Sequence, residues 1–169
     1  MNKIFIIILF INTIFSFESV KNLNINRFMG KWYVFAAVPN YIERGCEDAY
    51  DIYELNTDGT IKIEYYAKKD GEKFNIKQQG TIIDTINKSK WSINFTKPWI
   101  PFYTAPYEVI ILDEIKYSYM VVGYPGNDYG WIMSRTTYIE DNLYDQILNK
   151  LEGQFDYKKE QFVKVKHNQ

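Results

Sequence analysis

The sequence predicts an all-β protein, an eight-stranded antiparallel up-and-down barrel with one C-terminal α-helix and a short final strand. Two observations lead to this fold class. Short segments in which apolar and polar residues alternate follow one another along most of the chain, with turn residues between them. The chain also carries 15 Tyr, 11 Phe and 4 Trp in 169 residues, and such aromatic loading is typical of β-rich interiors.

The eight strands follow in chain order. Pro39 stops the first strand, and the pairs Asp58-Gly59 and Asp70-Gly71 mark tight turns on either side of the third. In that third strand Ile61, Ile63 and Tyr65 alternate with polar residues, which places one face inward. The predicted strands are 31–38, 47–55, 60–68, 73–84, 90–96, 107–112, 118–124 and 129–136.

The apolar period changes after residue 138. Leu143, Ile147, Leu148 and Leu151 form a helical stripe, and Gly153 fits the end of that helix. A final strand is expected at 161–165. Eight strands in meander order remove their open edges by closing into a barrel. An immunoglobulin-type sandwich is the alternative, but it more often has long crossing connections and needs no helix after the eighth strand.

The segment 97–103 is unusual because it combines two prolines with four aromatic or aliphatic residues. The prolines argue against a central strand, and the aromatic side chains argue against an ordinary solvated loop. Either it forms an apolar lip at the open end of the barrel, in contact with a membrane or a second subunit, or it folds back over the core. We favour the lip, so its expected partner is either a membrane surface, in a peripheral contact, or a second copy of the chain in a homodimer.

Residues 1–16 are expected to be a secretory signal peptide, and 17–169 a single domain. Lys3 supplies a positive charge, an apolar run follows, and Ser16 offers a small residue for cleavage. An uncleaved anchor is the alternative. No other apolar stretch approaches about 18 residues, so we expect a soluble, exported protein, periplasmic or secreted. No cysteine ends the segment, so we expect no lipid anchor there.

Net charge and the few reactive side chains argue against several classes of function. With 20 basic and 21 acidic residues the formal net charge is −1, which argues against a nucleic-acid partner. Cys46 is the single cysteine, either free or paired between chains, and His167 is the single histidine, in a polar tail. We therefore expect no metal site and no cofactor. We also expect no catalysis, because neither residue has a partner in sequence that would activate a nucleophile.

Two motifs resemble those of the lipocalins. Gly30-Lys31-Trp32 begins the first strand, and Arg135 lies at the end of the eighth. In that family the arginine packs across the tryptophan at the closed end, a contact worth roughly 0.5–2 kcal/mol. The resemblance implies structural roles for Gly30, Trp32 and Arg135. The position of the helix separates the chain from the fatty-acid-binding proteins, whose helices follow the first strand.

Further segments resemble the group of bacterial lipocalins, plant temperature-induced lipocalins and apolipoprotein D: Glu43-Arg44-Gly45, Tyr53-x-Leu55, Asp58-Gly59, Pro98-x-x-Pro101 and Trp131-Ile132-x-Ser134-Arg135-Thr136. Cys46 resembles a position that bonds a cysteine near the C-terminus in apolipoprotein D relatives. The C-terminal tail of this chain has none, so that disulfide is not expected.

The resemblance implies a barrel that binds and carries a small hydrophobic ligand, such as a fatty acid or a lysophospholipid. If Trp32 points inward, alternation puts Val34 and Ala36 on the same side. The pocket residues expected by resemblance are Tyr53 and Trp131, with Tyr65 joining them from the third strand. Ordinary barrel core is the alternative role for each. The alternative function is a secreted interaction protein that uses its loops and has a filled interior.

Overall fold

The structure is a computed structural model that describes residues 17–168, so the expected signal peptide at 1–16 lies outside the described residues. The described chain begins with a short helix and then forms the strands of one sheet. The strands are β1 Gly30–Ala37, β2 Cys46–Leu55, β3 Ile61–Lys69, β4 Glu72–Ile82, β5 Lys90–Lys97, β6 Trp99–Leu112, β7 Tyr119–Gly123, β8 Gly130–Ser134 and β9 Val163–Lys164. The helices are α1 Ile25–Phe28 and α2 Asp141–Phe155, and a single 3-10 turn spans Lys159–Gln161.

The sheet closes through its first strand. Neighbouring strands pair in chain order from β2 to β8, and β1 pairs antiparallel with both β2 and β8. This confirms the predicted eight-stranded antiparallel barrel. The short β9 adds to the outside of the ring by pairing with Ala36 and Ala37 at the end of β1. Closure pairs each of the eight barrel strands with a neighbour on both sides over at least part of its length.

A bulge in β1 changes which side chains face the barrel interior. The register of β1 against β8 shifts between Val34 and Ala36. Trp32, Val34 and Ala37 belong to the interior core, whereas Ala36 packs in the outer cluster with Ile132. The expectation that Ala36 shares the inward side of Trp32 was therefore wrong, because an extra residue reverses the alternation at that point.

The sixth strand is longer than predicted. It begins at Trp99 rather than at 107, and its first part pairs with β5 through Thr96 and Trp99. Pairing with β7 begins only at Glu108. The segment 99–107 is thus paired on one side only, a position in which a sheet tolerates prolines. The exclusion of a central strand from 97–103 agrees with this one-sided pairing, whereas the predicted start of the sixth strand at 107 was wrong.

The long helix α2 continues past Gly153, which the sequence had suggested as its end. Phe155 is buried in the outer cluster, and Asp156 ends the helix in the left-handed conformation at φ +57°. Because burial of the Phe155 side chain is favourable, the helix continues through Gly153 to Phe155. The short helix α1 was not predicted. It is a single turn in which the Asn24 side chain accepts a hydrogen bond from the Arg27 amide at 3.1 Å.

The apolar residues form two layers on opposite sides of the barrel wall. The outer layer holds α2 against β1, β6, β7 and β8 through Phe35, Ile132, Ile147 and Leu151. Tyr157 fixes the chain after the helix, because its hydroxyl donates to the carbonyl oxygen of Tyr129 at 2.7 Å and accepts from the amide of Tyr124 at 3.0 Å. Burial raises the pKa of Tyr157 to about 12. The helix thus covers the outside of the barrel and leaves the interior to the inward side chains.

Candidate ligand-binding cavity

The barrel interior contains a cavity of about 360 Å³. That volume falls in the range of sites that hold small ligands. Its walls are mostly aromatic and aliphatic. The residues expected from the sequence, Tyr53, Tyr65 and Trp131, all lie in this lining. The other lining residues are Asn40, Tyr41, Ile42, Glu43, Asp51, Ile76, Gln78, Ile93, Phe95, Tyr103, Ala105, Pro106, Tyr107, Val122, Tyr124, Tyr129 and Met133.

One end of the barrel is closed by α1 and the start of β1. Phe28 is fully buried there, with its ring centroid 5.5 Å from that of Trp32 and 5.2 Å from that of Trp91. The indole N–H of Trp32 donates to the carbonyl oxygen of Phe28 at 2.7 Å. This packing leaves the cavity no exit at this end of the barrel.

Arg135 covers the closed end from outside. Its guanidinium carbon lies 3.7 Å from the ring centroid of Trp32. The same group donates hydrogen bonds to five backbone carbonyl oxygens, of Arg27, Phe28, Met29, Lys31 and Tyr117. It therefore joins α1, β1 and the β6–β7 turn through one side chain. Gly30 suits the turn between α1 and β1, because its φ is +97°, a conformation that residues with a Cβ rarely adopt.

The floor of the cavity carries polar groups. The hydroxyl of Tyr107 donates to that of Tyr53 at 2.9 Å, and the ring of Tyr107 stacks on Trp91 at a centroid distance of 4.7 Å. Burial raises the pKa of both tyrosines, so they are neutral at physiological pH. Asp51 is 8% exposed and lies opposite Trp32 in the β1–β2 register. Burial, and then the charge of Glu43, raise the pKa of Asp51 well above its usual range.

A second carboxyl group reaches the cavity from the β1–β2 loop. Glu43 accepts a hydrogen bond from the indole N–H of Trp131 at 2.8 Å. The Asn40 side chain accepts from the Glu43 amide at 2.8 Å, which holds the loop in place. Burial raises the pKa of Glu43, and the hydrogen bonds with Trp131 and Asn40 oppose that rise. Trp131 therefore presents its ring to the cavity with its polar atom already paired.

Neither Glu43 nor Asp51 was predicted from the sequence as a site residue. A signal for Asp51 was present, because it occupies the same inward face of β2 as Ala49 and Tyr53. Burial of a carboxyl group costs free energy, so an acidic residue at an inward position of a strand indicates a polar group inside the barrel. Glu43 lies in a loop, where no periodicity shows which way a side chain points.

Val34 and Cys46 line a smaller, adjacent cavity of about 280 Å³. Val34 faces the interior, as expected, but does not reach the large cavity. Cys46 is the first residue of β2 rather than part of the preceding loop, and it is a buried free thiol. Burial raises the pKa of this thiol, so it is protonated at neutral pH.

The C-terminal tail is held against the barrel. The His167 ring nitrogen Nε2 lies 2.9 Å from the carbonyl oxygen of Val34. The amide of Asn168 donates to the Asp48 carboxylate at 2.7 Å, and the Lys68 ammonium lies 2.9 Å from the same carboxylate. Hydrogen bonds to Asp48 from Lys68 and from Asn168 lower its pKa to about 2. The tail thus lies along the second half of β1 and the first residues of β2.

The rim opposite the closed end is apolar and exposed. Tyr41 and Phe102 are almost fully exposed, and Trp99 is 75% exposed. Tyr41 and Tyr103 also line the cavity, so the exposed aromatic groups continue into it. Across residues 17–168, the helices are too short or too polar for any of them to span a bilayer.

A closed eight-stranded barrel with one sealed end, a ligand-sized apolar interior and a helix packed on its wall defines a calyx-type binding protein. The chain belongs to the lipocalin family: the family model for the lipocalin-like domain matches residues 23–167. Members of this family are generally proteins that bind or transport small hydrophobic molecules.

Curated relatives agree with this assignment. Temperature-induced lipocalin-1 of Arabidopsis thaliana is 32% identical over 138 residues, which cover 79% of this chain and 74% of the relative. The outer membrane lipoprotein Blc of Citrobacter freundii is 32% identical over 129 residues, covering 76% and 71%. Apolipoprotein D also matches, so the group indicated by the sequence motifs is confirmed.

Solved structures show the same fold. Insecticyanin from the tobacco hornworm Manduca sexta superposes with a TM-score of 0.72, covering 91% of this chain and 86% of that chain at 15% identity. At this identity the likeness concerns the fold alone. It supports the closed barrel with a helix near the C-terminus.

Proposed function

We propose that this chain binds a lipid with a single acyl chain, a lysophospholipid or a fatty acid, and carries it inside the barrel. The observation that carries this proposal is the 360 Å³ cavity, which is sealed at one end and lined by aromatic and aliphatic side chains. Each buried methylene contributes about 0.8 kcal/mol, so ten of them supply roughly 8 kcal/mol, the scale of a micromolar Kd. A barrel filled by its own side chains, which would favour the alternative of a surface interaction protein, does not fit this interior.

The polar groups of the cavity favour the lysophospholipid over the fatty acid. A fatty acid carries a carboxylate, which would lie in a cavity that already holds Glu43 and Asp51. That carboxylate would be buried without a basic partner, because the described lining contains no Lys, Arg or His, and burial of an unpaired charge is costly. A lysophospholipid offers a zwitterionic or neutral polar head to the same groups. We therefore place it first.

The Trp131→Phe variant tests this proposal through tryptophan fluorescence. Titration of the delipidated protein with lysophosphatidylcholine is expected to give a saturable, micromolar change in emission. Trp131 lines the cavity and holds Glu43 through its indole N–H, so the variant should bind several-fold more weakly with a smaller signal. Trp99→Phe is the matched control, because Trp99 is exposed and is not part of the cavity lining.

Two outcomes would argue against a lipid carrier. One is the absence of a saturable response to both lysophosphatidylcholine and palmitate. The other is a response that Trp99→Phe removes and Trp131→Phe leaves unchanged, because the lipid would then bind the outer surface.

We also propose that the protein is exported and that its aromatic rim contacts a lipid surface during ligand exchange. A second copy of the chain is the alternative partner of this rim. Replacing Phe102 by Ser removes an almost fully exposed ring without touching the core. We expect this variant to sediment several-fold less with phosphatidylcholine vesicles while its stability is unchanged. Equal sedimentation of variant and wild type would contradict the membrane contact, and a dimer that dissociates in the variant would favour the second copy.

A further inference from the structure

The cavity holds two carboxyl groups that its apolar walls do not explain. Asp51 lies on the floor and is more than nine-tenths buried, and Glu43 reaches the wall beside Trp131. They are close enough for the charge of Glu43 to raise the pKa of Asp51. Neither group is needed to close the barrel, since Phe28, Trp32 and Arg135 do so at the other side of the floor.

No basic side chain compensates these carboxyl groups from within the cavity. Over the described residues, 17–168, the lining contains no Lys, Arg or His. Glu64, on the outer wall of the barrel, does have cationic partners. The ammonium groups of Lys62 and Lys77 each lie 3.1 Å from its carboxylate, and they lower its pKa. A buried carboxylate without a neighbouring cation is costly. A cation that enters the cavity would supply the partner that these two carboxyl groups lack among the lining residues, and it would favour their ionised forms.

The side chains around the two carboxyl groups also favour a cation. Tyr53, Tyr65, Tyr107 and Trp131 line the same cavity. The faces of tyrosine and tryptophan rings attract ammonium groups, and a quaternary ammonium ion surrounded by such rings needs no hydrogen bond. Beyond them, Ile76, Ile93 and Val122 offer apolar surface for a hydrocarbon chain.

We infer that the barrel selects amphiphiles with a cationic head, whose ammonium group lies between Glu43 and Asp51 and whose hydrocarbon chain lies along the apolar wall. This inference rests on the proposed function, because it requires a ligand inside the cavity. It specifies, in addition, the charge of the ligand's head group. The ammonium group comes either from the choline or ethanolamine head of a lysophospholipid or from a free lipophilic amine.

A series of probes with equal chains tests the inference. Dodecyltrimethylammonium, 1-dodecanol and laurate share a twelve-carbon chain and differ in head charge, and each is titrated below its micelle concentration at pH 7.5 by calorimetry. We expect the cation to bind at least tenfold more tightly than the alcohol, and laurate to bind most weakly. Lysophosphatidylcholine with the same chain is the fourth probe. If it equals the cation, a lipid head supplies the ammonium group; if it binds like the alcohol, a free amine does.

The Glu43→Gln/Asp51→Asn double variant should abolish the order of affinities. The cation and the alcohol should then bind within about threefold of each other, while the affinity for the alcohol stays near the wild-type value. Retained binding of the alcohol also shows that the variant is folded. Glu54→Gln is the matched control, because Glu54 is an exposed carboxylate outside the cavity lining, and the order should persist in it.

The outcomes separate the two proposals. If the alcohol and laurate bind the wild type as tightly as the cation, the cationic preference is wrong and the hydrophobic carrier stands. If the cation is preferred but the double variant keeps that preference, the site is not between Glu43 and Asp51. If no probe binds, both the carrier and the cationic preference are overturned.

Discussion

Replacing Trp32 by alanine is expected to lower the free energy of unfolding by roughly 3–5 kcal/mol, the usual cost of truncating a large buried aromatic side chain. Trp32 is fully buried, packs against Phe28, and donates a hydrogen bond to its carbonyl oxygen. The variant also removes the ring beneath the Arg135 guanidinium. For a domain of this size each kcal/mol shifts Tm by about 2–4 °C, so thermal unfolding should shift by about 10 °C.

Trp99→Ala is the matched control, because it makes the same substitution at a side chain that is 75% exposed. Its Tm should change by no more than about 2 °C, since exposed sites contribute within roughly 0.5 kcal/mol. Equal effects of the two variants would show that Trp32 does not hold the closed end. Arg135→Met should lie between them, because it keeps an apolar contact with Trp32 and loses the hydrogen bonds to the carbonyl groups.

Replacing Asp51 by asparagine is expected to flatten the dependence of stability on pH. Burial raises the pKa of Asp51 in the native state well above the value of about 3.9 that the unfolded chain has. The native state therefore binds this proton more tightly. The free energy of unfolding then falls as pH rises from about 4 towards the raised native pKa, by at most about 1.4 kcal/mol per pH unit for one proton. The amide of the variant does not titrate, so it contributes no such slope.

The groups that face Asp51 do not obscure this signal. Tyr53, Tyr65 and Tyr107 have raised pKa values and stay neutral between pH 5 and 8, and so does the thiol of Cys46. Glu43 also has a raised pKa and adds a slope of the same sign. Urea unfolding of the wild type and the variant at intervals from pH 5 to pH 8 measures the difference.

Asp58→Asn serves as the control for this titration. Hydrogen bonds from Thr60 lower the pKa of Asp58, so its contribution is complete above about pH 4 and is lost only in more acidic solution. It should leave the slope between pH 5 and 8 unchanged. A wild-type slope that Asp51→Asn does not reduce would mean that this carboxyl group is already ionised at low cost.

The local pattern of the chain was enough to predict the barrel. Strand alternation, turn pairs such as Asp58-Gly59 and the change of period after residue 138 are local properties, and a meander of eight strands has few ways to hide its edges. The ends of helices and strands differed from the prediction where burial of a side chain outweighs local propensity. Phe155 extended α2 beyond Gly153, and one-sided pairing allowed β6 to begin at Trp99.

The composition of the site depended on contacts that no local pattern contains. Alternation and resemblance together indicated Tyr53, Tyr65 and Trp131, which all line the cavity. The bulge that turns Ala36 outward depends on the register between β1 and β8, which are about a hundred residues apart in the chain. A one-residue change in register reverses every side chain that follows.

The sequence by itself determined the closed barrel, the helix on its wall and the pairing of Trp32 with Arg135 at one end, because hydrophobic period, turn chemistry and family motifs specify them. Only the tertiary structure decided what the interior offers to a ligand. Glu43 reaches the cavity from a loop and Asp51 from a strand, and they share one apolar space only after the sheet has closed. Their low-dielectric surroundings, and so the charge that the cavity favours, are properties of the closed barrel.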